Sequence, residues 1–124
     1  MTKWTAGDLD RFGDAEELEI TTPRADGSPR PWVPIWGVRV GDEFYVRSYR
    51  GAGGGWYRRA SAEGSARIRA AGLELEVTAE QPGGDTRAAV DAAYREKYAR
   101  YGATFLKPML AAQAVDATLR LTPR

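Results

Sequence analysis

At 124 residues the chain is long enough to bury one hydrophobic core but not two, so we predict a single domain over residues 1–124. It contains neither cysteine nor histidine, which excludes disulfides, thiolate metal sites and imidazole chemistry, and we predict no metal site. Its 18 basic and 17 acidic residues give a net charge of +1, which argues against a general nucleic-acid binder.

The composition also indicates where the protein acts. The N-terminal stretch carries Asp8, Asp10 and Asp14 and no apolar run behind a basic start, so we expect neither a signal peptide nor a transit peptide there. No segment is long and apolar enough to span a bilayer. The absence of cysteine fits a reducing compartment. We therefore expect a cytoplasmic protein with no membrane partner.

The N-terminal elements are predicted to be a short helix and a strand. Thr5 followed by Asp8 is typical of a capped helix start, with Leu9 and Phe12 facing the core. Residues 17–22 alternate between apolar and polar, which predicts a strand that ends in turn residues.

The central segment predicts a hairpin that enters a glycine-rich loop. Residues 30–40 are β-prone, but Pro31 and Pro34 interrupt a regular ladder, so this strand should begin irregularly. A Gly41-Asp42 turn leads into a second strand over residues 44–49. Residues 51–55 hold four glycines and are predicted to be a sharply bent loop.

The C-terminal half predicts helices around three more strands. A short helix over residues 56–62 precedes strands at 66–70 and 73–79. Two helices come before a final strand at residues 117–121: one is capped by Asp85 or Thr86, and the other lies near Pro108. The first of these helices carries an apolar stripe of Val90, Tyr94, Tyr98 and Tyr101. About six short strands with helices predict an α+β fold built on an antiparallel β-barrel or strongly curled sheet.

Three motifs are candidates for ligand binding. Arg47, Ser48 and Arg50 lead into the glycine-rich loop, where bare amides beside guanidiniums suit a phosphate; a flexible loop with solvated arginines is the alternative. Trp56, Tyr57, Arg58 and Arg59 follow directly. The two aromatic side chains could wall a planar ring on which an arginine stacks or whose charge it neutralises; the alternative is that Trp56 plugs the core and both arginines are solvated. Trp32 and Trp36 share one face of an extended segment, where they could line a ligand or belong to the core.

The order of these motifs resembles a bacterial family known as domain of unknown function 2255. That family is similar in layout to split β-barrels that bind FMN or the deazaflavin coenzyme F420, so the resemblance implies an FMN-binding split-barrel-like fold. The matching segments are residues 24–28, Arg30, residues 33–36, 41–42 and 45–48, the glycine-rich stretch into Trp56-Tyr57-Arg58, and residues 93–98 and 118–124.

The resemblance also implies a set of cofactor-binding residues. By analogy with the flavin and deazaflavin reductases, Arg30 would meet phosphate, the backbone of Pro34, Ile35 and Trp36 would line the ring, Arg47, Ser48, Arg50 and Gly51 would hold the phosphate end, and Trp56 and Tyr57 would close the pocket. The chain departs from the reductase pattern where Arg58-Arg59 stands in place of an Asn after Trp-Tyr, and its 24–28 turn lacks Lys.

The function implied at second hand is that of an oxidoreductase, or a carrier of its cofactor, in which FMN or reduced F420 supplies a hydride. Its substrate would be a planar or apolar small molecule, and a homodimer is expected by analogy. The resemblance names no catalytic residue. The alternative is a cofactor-free small-molecule binder, or a cyclase or isomerase, that uses the barrel pocket; a third reading is an interaction module without chemistry.

Overall fold

A computed structural model describes residues 3–28 and 30–124; Met1, Thr2 and Pro29, which belong to the predicted single domain, lie outside the described residues. The strands in these ranges are β1 Leu18–Thr21, β2 Val33–Ile35, β3 Gly37–Val40, β4 Glu43–Arg47, β5 Ser65–Ala70, β6 Leu73–Glu80 and β7 Thr118–Pro123. The α-helices are α1 Ala6–Asp14, α2 Gly55–Glu63, α3 Arg87–Tyr98, α4 Ala103–Leu110 and α5 Ala112–Val115, with short 3-10 turns at Gly51–Gly53, Gly84–Thr86 and Ala99–Tyr101.

The strands form one antiparallel sheet in the order β2-β1-β5-β6-β7-β4-β3. Its two edges, β2 and β3, are neighbours in sequence with only Trp36 between them. One bent segment therefore forms both edges and brings them together, so that the sheet nearly closes into a barrel. The predicted α+β split barrel is confirmed. The described part of the chain forms seven strands, because the expected strand in residues 30–40 is divided at Trp36.

The division at Trp36 has a local cause. Pro34 has no N–H to donate, and it lies in edge strand β2, opposite Glu19 of β1, where a missing donor is tolerated. Gly37 opens β3 opposite Val46, and a Cβ atom at Gly37 would lie 2.4 Å from Cζ of Phe44. The chain can turn from one edge to the other here because glycine lets it pass close to the Phe44 ring.

Two apolar clusters hold the fold together. The first fills the barrel and is closed at one end by α1, whose Leu9 and Phe12 are buried as predicted. The second lies outside the barrel, where Val38 and Tyr45 pack against α3 and α4 through Val90, Tyr94, Tyr98 and Met109. The tyrosine stripe of α3 is therefore mainly a packing surface on the outside of the barrel, and it holds the β2–β3 bend in place.

Two local predictions need correction. The loop over residues 51–55 was predicted to lack regular structure, but Gly51–Gly53 forms a 3-10 turn and α2 begins at Gly55. The predicted side-chain cap of α3 was wrong, because Thr86 Oγ1 donates to the Gly83 carbonyl instead of accepting from the helix. The Thr5 cap of α1 is confirmed, since its oxygen accepts from the Asp8 amide at 3.2 Å. Among the described residues there is no helix with the length and apolar character needed to cross a bilayer.

Candidate functional site

A cavity of about 690 Å³ opens on the side of the barrel where β2 meets α2 and α4. Its volume lies within the range of sites that bind drug-sized molecules. Its walls come from five segments: Glu17 before β1, the β2–β3 bend, residues 47–50 at the end of β4 and in the turn after it, the start of α2, and one face of α4. The barrel strands therefore supply part of the lining and the helices supply the rest.

The first wall is the bend itself, formed by Val33, Pro34, Ile35 and Trp36. The Trp36 indole stacks on the Tyr98 ring with centroids 4.0 Å apart and planes 2° apart. The Tyr94 hydroxyl donates to the Trp36 carbonyl at 3.0 Å. This wall is held rigidly from behind by α3.

Burial of the two tyrosines that support this wall controls their protonation. It raises the pKa of the Tyr94 hydroxyl and of the Tyr98 hydroxyl above the ordinary tyrosine value. Both hydroxyls therefore stay protonated and act as hydrogen-bond donors. The Tyr98 hydroxyl donates to the carbonyls of Glu16 at 2.9 Å and Gly37 at 3.1 Å.

The opposite end of the cavity is cationic and rich in bare backbone. Gly54 and Gly55 line it at the start of α2, where no side chain caps the helix. Arg59 folds back over this start, because a Cβ atom at Gly55 would lie 3.2 Å from its Nη1. Arg50 lines the same cavity from the preceding turn. A helix N-terminus with free amides, flanked by two guanidiniums, is an arrangement that favours an anionic group.

Arg47 also lines the cavity, but other residues already bind its guanidinium. It is 2% exposed, and its Nη1 donates to Asp91 at 2.6 Å and to the Met109 carbonyl at 3.0 Å. Its Nε donates to Thr118 Oγ1 at 3.1 Å, and its Cζ lies 5.3 Å from the centroid of the Tyr94 ring. Arg47 therefore ties β4 to α3, α4 and β7, and its charge is neutralised by Asp91.

The mouth of the cavity is apolar. From α4, Thr104, Phe105, Pro108 and Met109 face the opening, and Tyr49 faces it from the other side. Phe105 is 62% exposed and Tyr49 is 54% exposed; no other large hydrophobic side chain in the described ranges is as open to solvent. A ligand entering here would cover both rings.

The structure brings seven of the ten predicted cofactor-binding residues to this cavity: Pro34, Ile35, Trp36, Arg47, Ser48, Arg50 and Trp56. The other three lie outside its lining. Arg30 donates to the carbonyls of Thr22 and Pro23, Gly51 packs against Gln113, and the Tyr57 hydroxyl is bound by Gln81. These three residues therefore have their contacts elsewhere in the structure.

The sequence grouped Arg59 with Trp56 and Tyr57 as a candidate partner of a planar ring, but it did not place Arg59 over the helix start, and it missed the α4 wall. Arg59 lies four residues after Gly55, one helical turn on, so a predicted helix start at the glycines could have placed it over that start. No local signal brings α4 to the cavity, because its position depends on contacts with Arg47 and α3.

A family model described as "Uncharacterized protein conserved in bacteria (DUF2255)" matches residues 8–121. The chain belongs to this family. The resemblance stated from the motifs is therefore confirmed. No curated protein matches the chain of this DUF2255 protein.

Solved structures similar to this DUF2255 protein share its fold. An FAD and heme binding protein from Mycobacterium smegmatis matches at TM-score 0.59 and 23% identity, covering 94% of this chain and 64% of its own, so the present chain spans less than two thirds of that protein. HutZ, the heme storage protein from Vibrio cholerae, matches at TM-score 0.66 and 16% identity over 96% and 89% of the two chains. An F420-H2 dependent reductase, FDR-A, matches at TM-score 0.60 and 19% identity over 86% and 93%.

Proposed function

We propose that this DUF2255 protein binds FMN or the deazaflavin coenzyme F420 in the cavity and acts as a reductase on a planar or apolar small molecule. One observation carries the proposal: a single cavity of about 690 Å³ joins the apolar and aromatic residues of the β2–β3 bend to a cationic end built on the glycine start of α2. A tricyclic ring with a phosphate-bearing tail has these same two parts. A cytoplasmic location fits such reductive chemistry.

The ring would lie against the β2–β3 bend. Pro34 removes one backbone donor from this edge strand, and Ile35 and Trp36 line the cavity beside it. Main-chain groups and apolar walls fix the orientation of a planar ring without needing an ionisable side chain. Trp56, 9% exposed at the start of α2, would close the ring from the opposite side.

The phosphate tail would lie at the start of α2. Here Arg50 and Arg59 supply charge, and the first amides of the helix supply donors that no side chain caps. Because Asp91 already neutralises Arg47, we assign Arg47 to holding the wall in place and not to the phosphate. The Arg59 Nε bond to Thr22 Oγ1, 3.1 Å long, holds that guanidinium beside the helix start.

Several proteins of this fold bind heme according to their names, and the side chains of the cavity favour a flavin-type group over heme. Protein ligands to heme iron are His, Cys, Met or Tyr. The chain has no His or Cys. Of the lining residues only Met109, 5% exposed, and Tyr49, at the rim, belong to the remaining types.

When bound, such a cofactor supplies hydride transfer, and the protein's part is to bind, orient and exclude water. In this chain the bend orients the ring and the α2 start anchors the tail. The apolar rim at Phe105 and Tyr49 would shield the reacting face from water. No ionisable side chain is required at the ring for that division of labour.

The test is a titration of the purified protein with FMN, riboflavin and F420, followed by visible absorbance. We expect saturable spectral shifts with FMN or F420, and the cofactor with the lower Kd identifies the one the site prefers. Arg59→Gln should weaken FMN binding about tenfold, the loss of one charge-assisted hydrogen bond, and leave riboflavin, which has no phosphate, unchanged. Arg58→Gln is the matched control, since Arg58 is the exposed neighbour on the same helix and does not line the cavity.

Two results would contradict the proposal. One is the absence of any spectral change with all three compounds. The other is an equal effect of Arg59→Gln and Arg58→Gln on FMN. Silent titrations together with saturable binding of an apolar small molecule would instead favour the cofactor-free binder, cyclase or isomerase, which the apolar rim at Phe105 and Tyr49 also suits.

A further inference from the structure

We infer that the end of the cavity opposite the α2 start binds a positively charged planar group, so that the substrates are aromatic cations of the pyridinium or quinolinium type. The inference rests on the proposed function in treating this cavity as the substrate site. It concerns Glu17 and the indole face of Trp36; the proposed function uses the backbone of Trp36 beside the cofactor ring, and not its indole face. Both line the same cavity.

Glu17 is the acidic residue at this end without a cationic partner. Its neighbours are neutralised, because Glu16 pairs with Arg100 and Glu19 pairs with Arg69. Across residues 3–28 and 30–124, no ion pair involves Glu17, which is exposed and lines both this cavity and the adjoining one beside β5 and β6. A carboxylate in this position attracts a cation to the cavity and offers it a direct partner.

Trp36 offers an open aromatic face beside that carboxylate. Tyr98 covers one face, at 4.0 Å between centroids. Tyr101 lies 5.1 Å from Trp36 and only 6.0 Å from Tyr98, so it flanks the edge of the indole, since a ring on the opposite face would lie much farther from Tyr98. Trp36 is half-buried and lines the cavity, so its remaining face is the one that would receive a planar ring. Trp is the best aromatic partner for a cation.

The two ends of the cavity lie far enough apart to act independently. The guanidinium of Arg59 is bonded to Thr22, whereas Glu17 precedes the first residue of β1, Leu18. Positions 17 and 22 are five residue steps apart, which corresponds to about 16 Å along an extended strand. A tail anion at the α2 start and a cation at Glu17 can therefore be bound at once, with the charge of each complemented locally.

The experiment measures the affinity of N-methylquinolinium and of quinoline, its uncharged counterpart of similar size, by quenching of tryptophan fluorescence at pH 7.5. We expect the cation to bind about fivefold to tenfold more tightly, the combined effect of a carboxylate and an indole face. Glu17→Gln should abolish most of this preference by weakening the cation alone. Glu19→Gln is the matched control. It removes the same charge at a residue only two positions further along the chain, and Glu19 lines only the adjoining cavity.

The inference is overturned if quinoline and N-methylquinolinium bind equally to the unmodified protein, or if Glu19→Gln weakens the cation as much as Glu17→Gln. Titration of the unmodified protein and the same variants with FMN and F420 separates this inference from the proposed function. A cation preference that depends on Glu17 without any cofactor binding supports the inference and contradicts the reductase. Cofactor binding without a cation preference does the reverse.

Discussion

Removing the carboxylate of Asp91 should destabilise the protein far more than breaking an exposed ion pair. Its partner, Arg47, has a side chain only 1% exposed, and the Asp91 side chain is 13% exposed. Without Asp91, the guanidinium would stay buried with only neutral partners, Met109 and Thr118. Loss of one member of a buried ion pair costs about 3–5 kcal/mol, a large part of the roughly 5–15 kcal/mol that holds a domain folded. We therefore expect Asp91→Ala to lower the free energy of unfolding by about that amount.

Urea unfolding followed by tryptophan fluorescence measures this loss. Glu19→Ala is the control, because its 2.8 Å pair with Arg69 has side chains 38% and 43% exposed and should cost less than about 1 kcal/mol. Arg47→Met combined with Asp91→Leu should recover part of the stability, since apolar replacement of a buried pair leaves no charge unpaired. The reasoning is refuted if Asp91→Ala costs no more than Glu19→Ala.

Three further predictions concern the packing at the helix start, a half-buried lysine and the cavity rim. Gly54→Ala should lower the free energy of unfolding by about 1–3 kcal/mol through overpacking, because its Cβ would lie 2.6 Å from Ser48 Oγ. Adding Ser48→Ala should restore the stability. Gly53→Ala, whose Cβ would have no neighbour within 4 Å, should leave stability unchanged in the same unfolding assay. Burial lowers the pKa of Lys97 to about 8 from an ordinary value of 10.5, so the unfolded state binds more protons than the folded state between these pH values. The free energy of unfolding, measured relative to Lys97→Met, should therefore rise with pH in that window. A relative free energy of unfolding that falls with pH there would contradict this. We propose that the protein is a homodimer that associates through the rim at Phe105. Light scattering should then give twice the chain mass for the unmodified protein and the mass of one chain for Phe105→Glu. A single-chain mass for the unmodified protein would contradict this proposal.

Much of the local structure could be predicted because it depends on neighbours in sequence. Thr5 can cap α1 because its hydroxyl reaches an amide three residues on. The alternation in β1 predicted which of Leu18 and Glu19 would face the core, because successive side chains of a strand point to opposite faces. The family resemblance then supplied the split-barrel layout from the order of such motifs.

The site could be predicted only in part. Pro34, Trp36 and Ser48 line one cavity, and their role toward a cofactor stays a prediction. The charge of Arg47 could not be assigned from the sequence, because the Asp91 that neutralises it is 44 residues away on another element. The effective charge of a cavity depends on which side chains the fold places opposite each other.

By itself, the sequence determined the type of most helices and strands, since these follow from short-range sterics, capping and side-chain periodicity. Only the tertiary structure decided that the two halves of one bent segment form opposite edges of the sheet, and that α4 covers the cavity mouth. The physical reason is that closure and burial depend on contacts between residues far apart in the chain, and these contacts determine which charges remain free to bind a ligand.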